Sequence, residues 1–67
     1  MIFIIEKWVN NKWNHLGHSN HSDSKQALIS LINDNSLILD TVGNNWIIYK
    51  NSENIQFKII QNGNRTI

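Results

Sequence analysis

The sequence predicts an α+β domain of two layers, an antiparallel sheet of about five strands in the order β-β-α-β-β-β with one helix packed on one face. Three observations predict it. Two strand-like runs flank Asn10-Asn11, one capped stretch of helical period begins near residue 23, and three more short apolar runs separated by turn residues complete the chain.

Residues 2–9 and 12–16 are rich in Ile, Phe, Trp and Val, and the Asn pair between them can take the positive φ angles of a two-residue hairpin turn. With that turn, Val9 faces Lys12 and Trp8 faces Trp13 at a non-hydrogen-bonded site, where side chains approach most closely. The same register sets Glu6 against His15 and Ile5 against Leu16. Ser22-Asp23-Ser24 then offers N-cap oxygens, with Gln26 three residues after Asp23, so a helix is predicted over 23–33. Ala27, Leu28, Leu31 and Ile32 form its apolar stripe, Ile29 widens it, and Asn33-Asp34-Asn35 is a polar stop. Further strands are predicted at 36–42, 46–50 and 55–60, joined by a turn at Gly43-Asn44 or slightly longer and by Asn51–Asn54. Asn62-Gly63 is a turn dipeptide that would fold residues 64–67 back as a short edge strand. Without repeats, linkers or charge runs, residues 1–67 read as a single domain.

In element order, the opening hairpin and helix resemble the β-grasp fold, of which ubiquitin is the familiar member. The resemblance covers about the first half of the chain, rests on no motif and implies no function. A plain meander is the equal alternative for the second half.

At 67 residues the chain lies near the lower end of what folds alone, burying only about 60% of its unfolded surface. It has no cysteine, so neither a disulfide nor a thiolate metal site can brace it, which is compatible with a reducing cytoplasm. Residues 1–5 are too short for a signal sequence and are followed by Glu6, and no apolar run approaches the roughly 18 residues of a membrane span. The expectation is a cytoplasmic protein with no membrane contact. A net charge of +1 leaves no strong electrostatic footprint for duplex DNA or an anionic membrane. Twelve Asn, twelve Ile and one Ala fit an A/T-rich coding sequence of the kind common in low-GC bacteria and their phages.

Alternation sorts the hairpin into one face with Ile2, Ile4, Trp8 and Trp13 and another with Phe3, Ile5, Val9 and Leu16. In the later strands Leu37, Leu39, Trp46 and Ile48 point one way, and Ile38, Val42, Ile47 and Tyr49 the other. Both faces are apolar, whereas a sheet with one helix usually turns a polar face to water. Three tryptophans in so short a chain add interface-forming aromatics. Either the face without the helix is buried against a second copy or another protein, or strong curvature wraps these side chains into one core.

His15, His18 and His21 are spaced three apart, and imidazole is a good ligand for zinc, nickel or copper. Asp23 and Glu6 are the nearby candidates for a fourth ligand. The segment reads as a strand end followed by a loop holding His18 and His21. Its spacing matches no strong zinc pattern, so neither a metal nor another cofactor is expected. Ser22, Ser24 and Asp23 are explained by helix capping, so their adjacency to His21 makes no triad, and Gly17, Gly43 and Gly63 are isolated turn residues. No catalytic residue is assigned, and a non-enzymatic protein is expected.

The reading these residues favour is a small interaction protein that blocks or bridges a larger protein or ribonucleoprotein, with Trp8, Trp13, Lys7, Lys12, Trp46 and Tyr49 as contact residues and a homodimer as a further partner state. Size and Asn/Ile bias resemble those of phage and mobile-element proteins, among which anti-CRISPR inhibitors of host defence are frequent. Sheet edges are a second route to a partner, since no proline guards them. The alternative is a single-strand nucleic-acid module stacking bases on Trp8, Trp13, Trp46, Tyr49 and Phe57 beside Lys7, Lys12, Lys50 and Lys58.

Overall fold

The structure, a computed structural model, describes residues 2–61. The predicted 64–67 strand lies outside them. Asn10 and Asn11 both take positive φ, 56° and 63°, as a type I′ hairpin turn requires. They join β1 (Ile2–Val9) to β2 (Lys12–Asn20). Asn14 fastens the turn by donating from Nδ2 to the carbonyls of Val9 and Lys12, at 3.0 and 3.1 Å. The expected pairs Trp8↔Trp13, Val9↔Lys12 and Glu6↔His15 form, but Ile5 pairs with Gly17 because Leu16 is an extra, bulged residue. Beyond the bulge β2 continues to Asn20, well past the expected end at 16, because Gly17 to Asn20 pair with Ile2 to Ile5. His18 therefore lies on a strand and not in a loop.

Helix α1 (Ser24–Ile32) follows. Asp23 caps its start, accepting from the Gln26 amide at 3.1 Å, and Asn33 ends it in the left-handed region, its amide donating to the Ile29 carbonyl at 2.7 Å. Ala27 and Leu28 are buried against the sheet, with Ile29 and Ile32 packed on the same core. Leu31, expected in the core stripe, is 39% exposed. It lies over Gly17 of β2, where an added Cβ would come within 3.1 Å of its Cδ2.

The chain continues through β3 (Ile38–Val42), β4 (Trp46–Lys50) and β5 (Gln56–Gln61). These form an antiparallel meander, and β5 closes on β1, also antiparallel, so the sheet order is β2-β1-β5-β4-β3. The result is the expected two-layer α+β domain. Asp40 is a second bulged residue, and it reverses the alternation of β3. Leu39 consequently pairs with Tyr49 while Ile38 pairs with Lys50, opposite to the predicted sorting of these two, and Val42 pairs with Ile47 as predicted.

Phe3, Ile5, Phe57 and Ile59 of the central strands meet Ala27 and Leu28 of α1, and Leu37 joins them. Ile5, Leu28 and Ile59 are fully buried, each contributing roughly 2 kcal/mol of transfer free energy. Buried Asn51 organises the β4–β5 turn: its Oδ1 accepts from the amides of Glu53 and Ile55 at 2.9 and 3.0 Å, and its Nδ2 donates to Asp34 at 3.4 Å. The Ser36 hydroxyl and amide both donate to Asp34, holding its carboxyl below the ordinary carboxylate range. No described buried side-chain N or O atom lacks a partner.

Candidate partner-binding face

Antiparallel partners share a face, so the pairings sort the sheet. Phe3, Ile5, Phe57 and Ile59 point to the helix; Ile4, Glu6 and Trp8 of β1 point away, together with Trp13, His15 and His18 of β2, Lys58 and Ile60 of β5, and Trp46, Ile48 and Lys50 of β4. All three tryptophans of the chain thus stand on the open face. None of these side chains belongs to the buried core: Ile4, Trp13, Trp46, Ile48 and Ile60 are half-buried and Trp8 is exposed. In the isolated chain the face is therefore greasy and wet together.

Two geometric features organise it. Trp8 and Trp13 meet edge to face, with ring centroids 5.2 Å apart and planes at 66°, an arrangement worth about 1 kcal/mol beyond its buried area. The Lys58 ammonium lies 4.5 Å from the Trp13 ring centroid and 5.8 Å from that of Trp46. It is thus held between two indoles, each contact worth about 0.5–1 kcal/mol at a partly exposed site. Trp46 is seated by Gly43, since a Cβ there would overlap the indole ring. Glu6 is the cross-strand neighbour of Lys58 on β1, half-buried and without an ion-pair or hydrogen-bond partner among the described residues.

Of the residues expected to make contact, the structure brings together Trp8, Trp13 and Trp46. It puts Lys7, Lys12 and Tyr49 on the other face, where Lys7 and Tyr49 both pair with core residue Phe57 and Lys12 pairs with Val9. Glu6 and Lys58 take the place of those lysines at the centre. Alternation along β5 signals that Lys58 points away from Phe57 and Ile59, but its neighbours come from strand pairing that no local pattern specifies.

The histidines divide. His15 and His18 stand on the open face and line, with Ile2 and Ile4, a cavity of about 320 Å³. His21 is held by Ser19, Nδ1 to Oγ 2.7 Å, and Ser19 in turn reaches Ser30 of the helix at 3.3 Å. Among the described residues no group of three or more His, Cys, Asp or Glu converges as a metal site would require. A second cavity, about 380 Å³, opens on the helix side between Asp23 and the β3–β4 turn, where α1 leaves the sheet uncovered. Val42, which lines it, is 60% exposed, and Leu39 near the start of β3 is 58% exposed.

Both edge strands, β2 and β3, carry a bulge. A bulge interrupts the row of amides and carbonyls that another strand would pair with, so the edges are guarded without proline. No described helix is long and apolar enough to cross a membrane. No protein-family model, curated protein or solved structure matches the chain.

Proposed function

We propose that this chain is a non-catalytic interaction protein that occupies a surface of a larger protein or ribonucleoprotein and blocks or bridges it, using the sheet face opposite α1. The observation that carries the reading is the collection of Trp8, Trp13, Trp46, Ile4, Ile48 and Ile60 on that face around the neighbouring charges Glu6 and Lys58, with Lys50 at the end of β4. An apolar field with few charges suits burial against protein. The bulged edges direct contact to the face.

The same geometry favours protein over single-stranded nucleic acid. Stacking needs free ring faces. Trp13 already meets Trp8 and the Lys58 ammonium, and Trp46 meets Gly43 and the same ammonium. Glu6 at the centre would repel phosphate. A blocked host-defence complex, such as a CRISPR ribonucleoprotein acted on in the cytoplasm, is the finer form of the proposal, supported by the small size and Asn/Ile bias.

Affinity capture from the source cell tests the reading when the wild type is run beside Trp8→Ala and Trp13→Ala. A stoichiometric protein partner held by the wild type should be lost or weakened by about 2 kcal/mol in each variant. A partner retained by both variants would move the contact elsewhere. Salt-dependent binding to a labelled oligonucleotide would replace the protein reading with the nucleic-acid one.

A further inference from the structure

We infer that the open sheet face is self-complementary and that, without a larger partner, a second copy of the chain covers it in a symmetric face-to-face dimer. The inference rests on the reading of this face as a protein contact surface and names the occupant of its unbound state.

The argument starts from two half-buried charges. Glu6 on β1 and Lys58 on β5 are directly opposed across neighbouring strands near the middle of the sheet. The Lys58 ammonium rests on the Trp13 and Trp46 indoles, and the Glu6 carboxylate has no partner among the described residues. The half-buried Glu6 carboxylate, flanked on its own strand by Ile4 and Trp8 and across the sheet by His15 and Lys58, gains from a further cation approaching from outside the sheet. A two-fold axis through the face supplies one. It brings Lys58 of each copy over Glu6 of the other, forming two equivalent ion pairs inside a ring of tryptophan and isoleucine. The centre of the face, with Glu6 and Lys58 side by side and Lys50 at the far end of β4, matches its own image, whereas it would leave one sign unpaired against a uniformly acidic or basic partner.

Size and access agree. Five strands about 4.8 Å apart, five to nine residues long at about 3.3 Å per residue, give the face a projected area of roughly 500 Å², which places such a dimer at the smaller end of stable interfaces. Sheets packed face to face lie about 10 Å apart, a gap that interdigitating Trp, Ile, Glu and Lys side chains fill. The bulges in β2 and β3 disfavour edge-to-edge pairing, which leaves the face as the route to self-association.

Charge reversal tests this directly by sedimentation velocity across a dilution series, with circular dichroism confirming that each variant folds. The wild type should dimerise. Glu6→Lys and Lys58→Glu should each weaken the dimer about ten-fold or more, because each sets like charges against one another twice. Mixing the two variants should restore association to within about three-fold of the wild type, and so should Glu6→Lys/Lys58→Glu in one chain, since both arrangements re-create opposite charges across the axis. A wild type that stays monomeric up to about 100 µM overturns the inference. Dimerisation that ignores both single variants, or is not rescued by mixing, overturns it too. In each of these cases loss of the captured partner by Trp13→Ala would keep the broader reading, so the two fail separately.

Discussion

Replacing Gly43 with alanine should destabilise the domain by about 2–3 kcal/mol, although backbone considerations alone predict the opposite sign. No glycine of the described residues has positive φ, so alanine fits the backbone at Gly43, and its lower unfolded-state entropy should stabilise by about 0.5 kcal/mol. What opposes it is the Trp46 indole, whose Cε2, Cζ2 and Nε1 occupy the space of the new methyl group. The ring has to swing out. An indole buries roughly 200 Å² when fully enclosed, and swinging the ring out returns about half of that to water at a cost of about 2.5 kcal/mol. Losing the 5.8 Å contact with Lys58 adds about 0.5 kcal/mol. Urea denaturation followed by far-ultraviolet circular dichroism measures the sum, and the melting temperature should fall by roughly 10 °C or more. In a Trp46→Ala background the penalty of Gly43→Ala should vanish or change sign. A Gly43→Ala protein as stable as the wild type would refute the reasoning about how Trp46 is seated.

Other expectations follow from the local geometry. Asp23→Ala removes the side-chain acceptor of the Gln26 amide and should cost about 1 kcal/mol in chemical denaturation, while Asp23→Ser should cost much less. Asn11→Gly should raise stability by a few tenths of a kcal/mol, since position 11 has φ 63° and glycine accepts that angle without a Cβ penalty. Asp34 is held in its charged form by Ser36, so its folded pKa is depressed and the stability it adds is present above the unfolded carboxylate pKa and lost as pH falls through the folded value. Acid titration of stability should therefore be shallower for Asp34→Asn below about pH 4.

The parts of the fold legible in the sequence are those set by near neighbours. Asn10-Asn11 fixes the hairpin register close to the turn, so Trp8↔Trp13 and Glu6↔His15 follow from counting outward. Asp23 and Asn33 mark the helix by local hydrogen bonds. Counting fails at each bulge. Leu16 shifts the partner of Ile5 to Gly17, and Asp40 exchanges the faces of Ile38 and Leu39, because one extra residue inverts a period of two. The polar end of β2 reads as a loop because an edge strand tolerates Gly, His, Ser and Asn. For the candidate site, the three tryptophans are legible and their company is not. Lys7 and Lys12 lie beside Trp8 and Trp13 in sequence and therefore point to the other face. Glu6 and Lys58 meet only because β5 inserts beside β1, a long-range pairing that no local pattern encodes.

Hydroxyl-radical footprinting of the chain free at low concentration and in its captured complex tests the central claim most directly, with oxidation of each tryptophan quantified by mass spectrometry. Trp8, Trp13 and Trp46 should be protected together in the complex, while the exposed Leu31 of α1, on the opposite side of the sheet, keeps its reactivity. Protection of Leu31, Leu39 and Val42 with all three indoles unchanged would contradict the account and place the contact on the helix layer or the β3 edge.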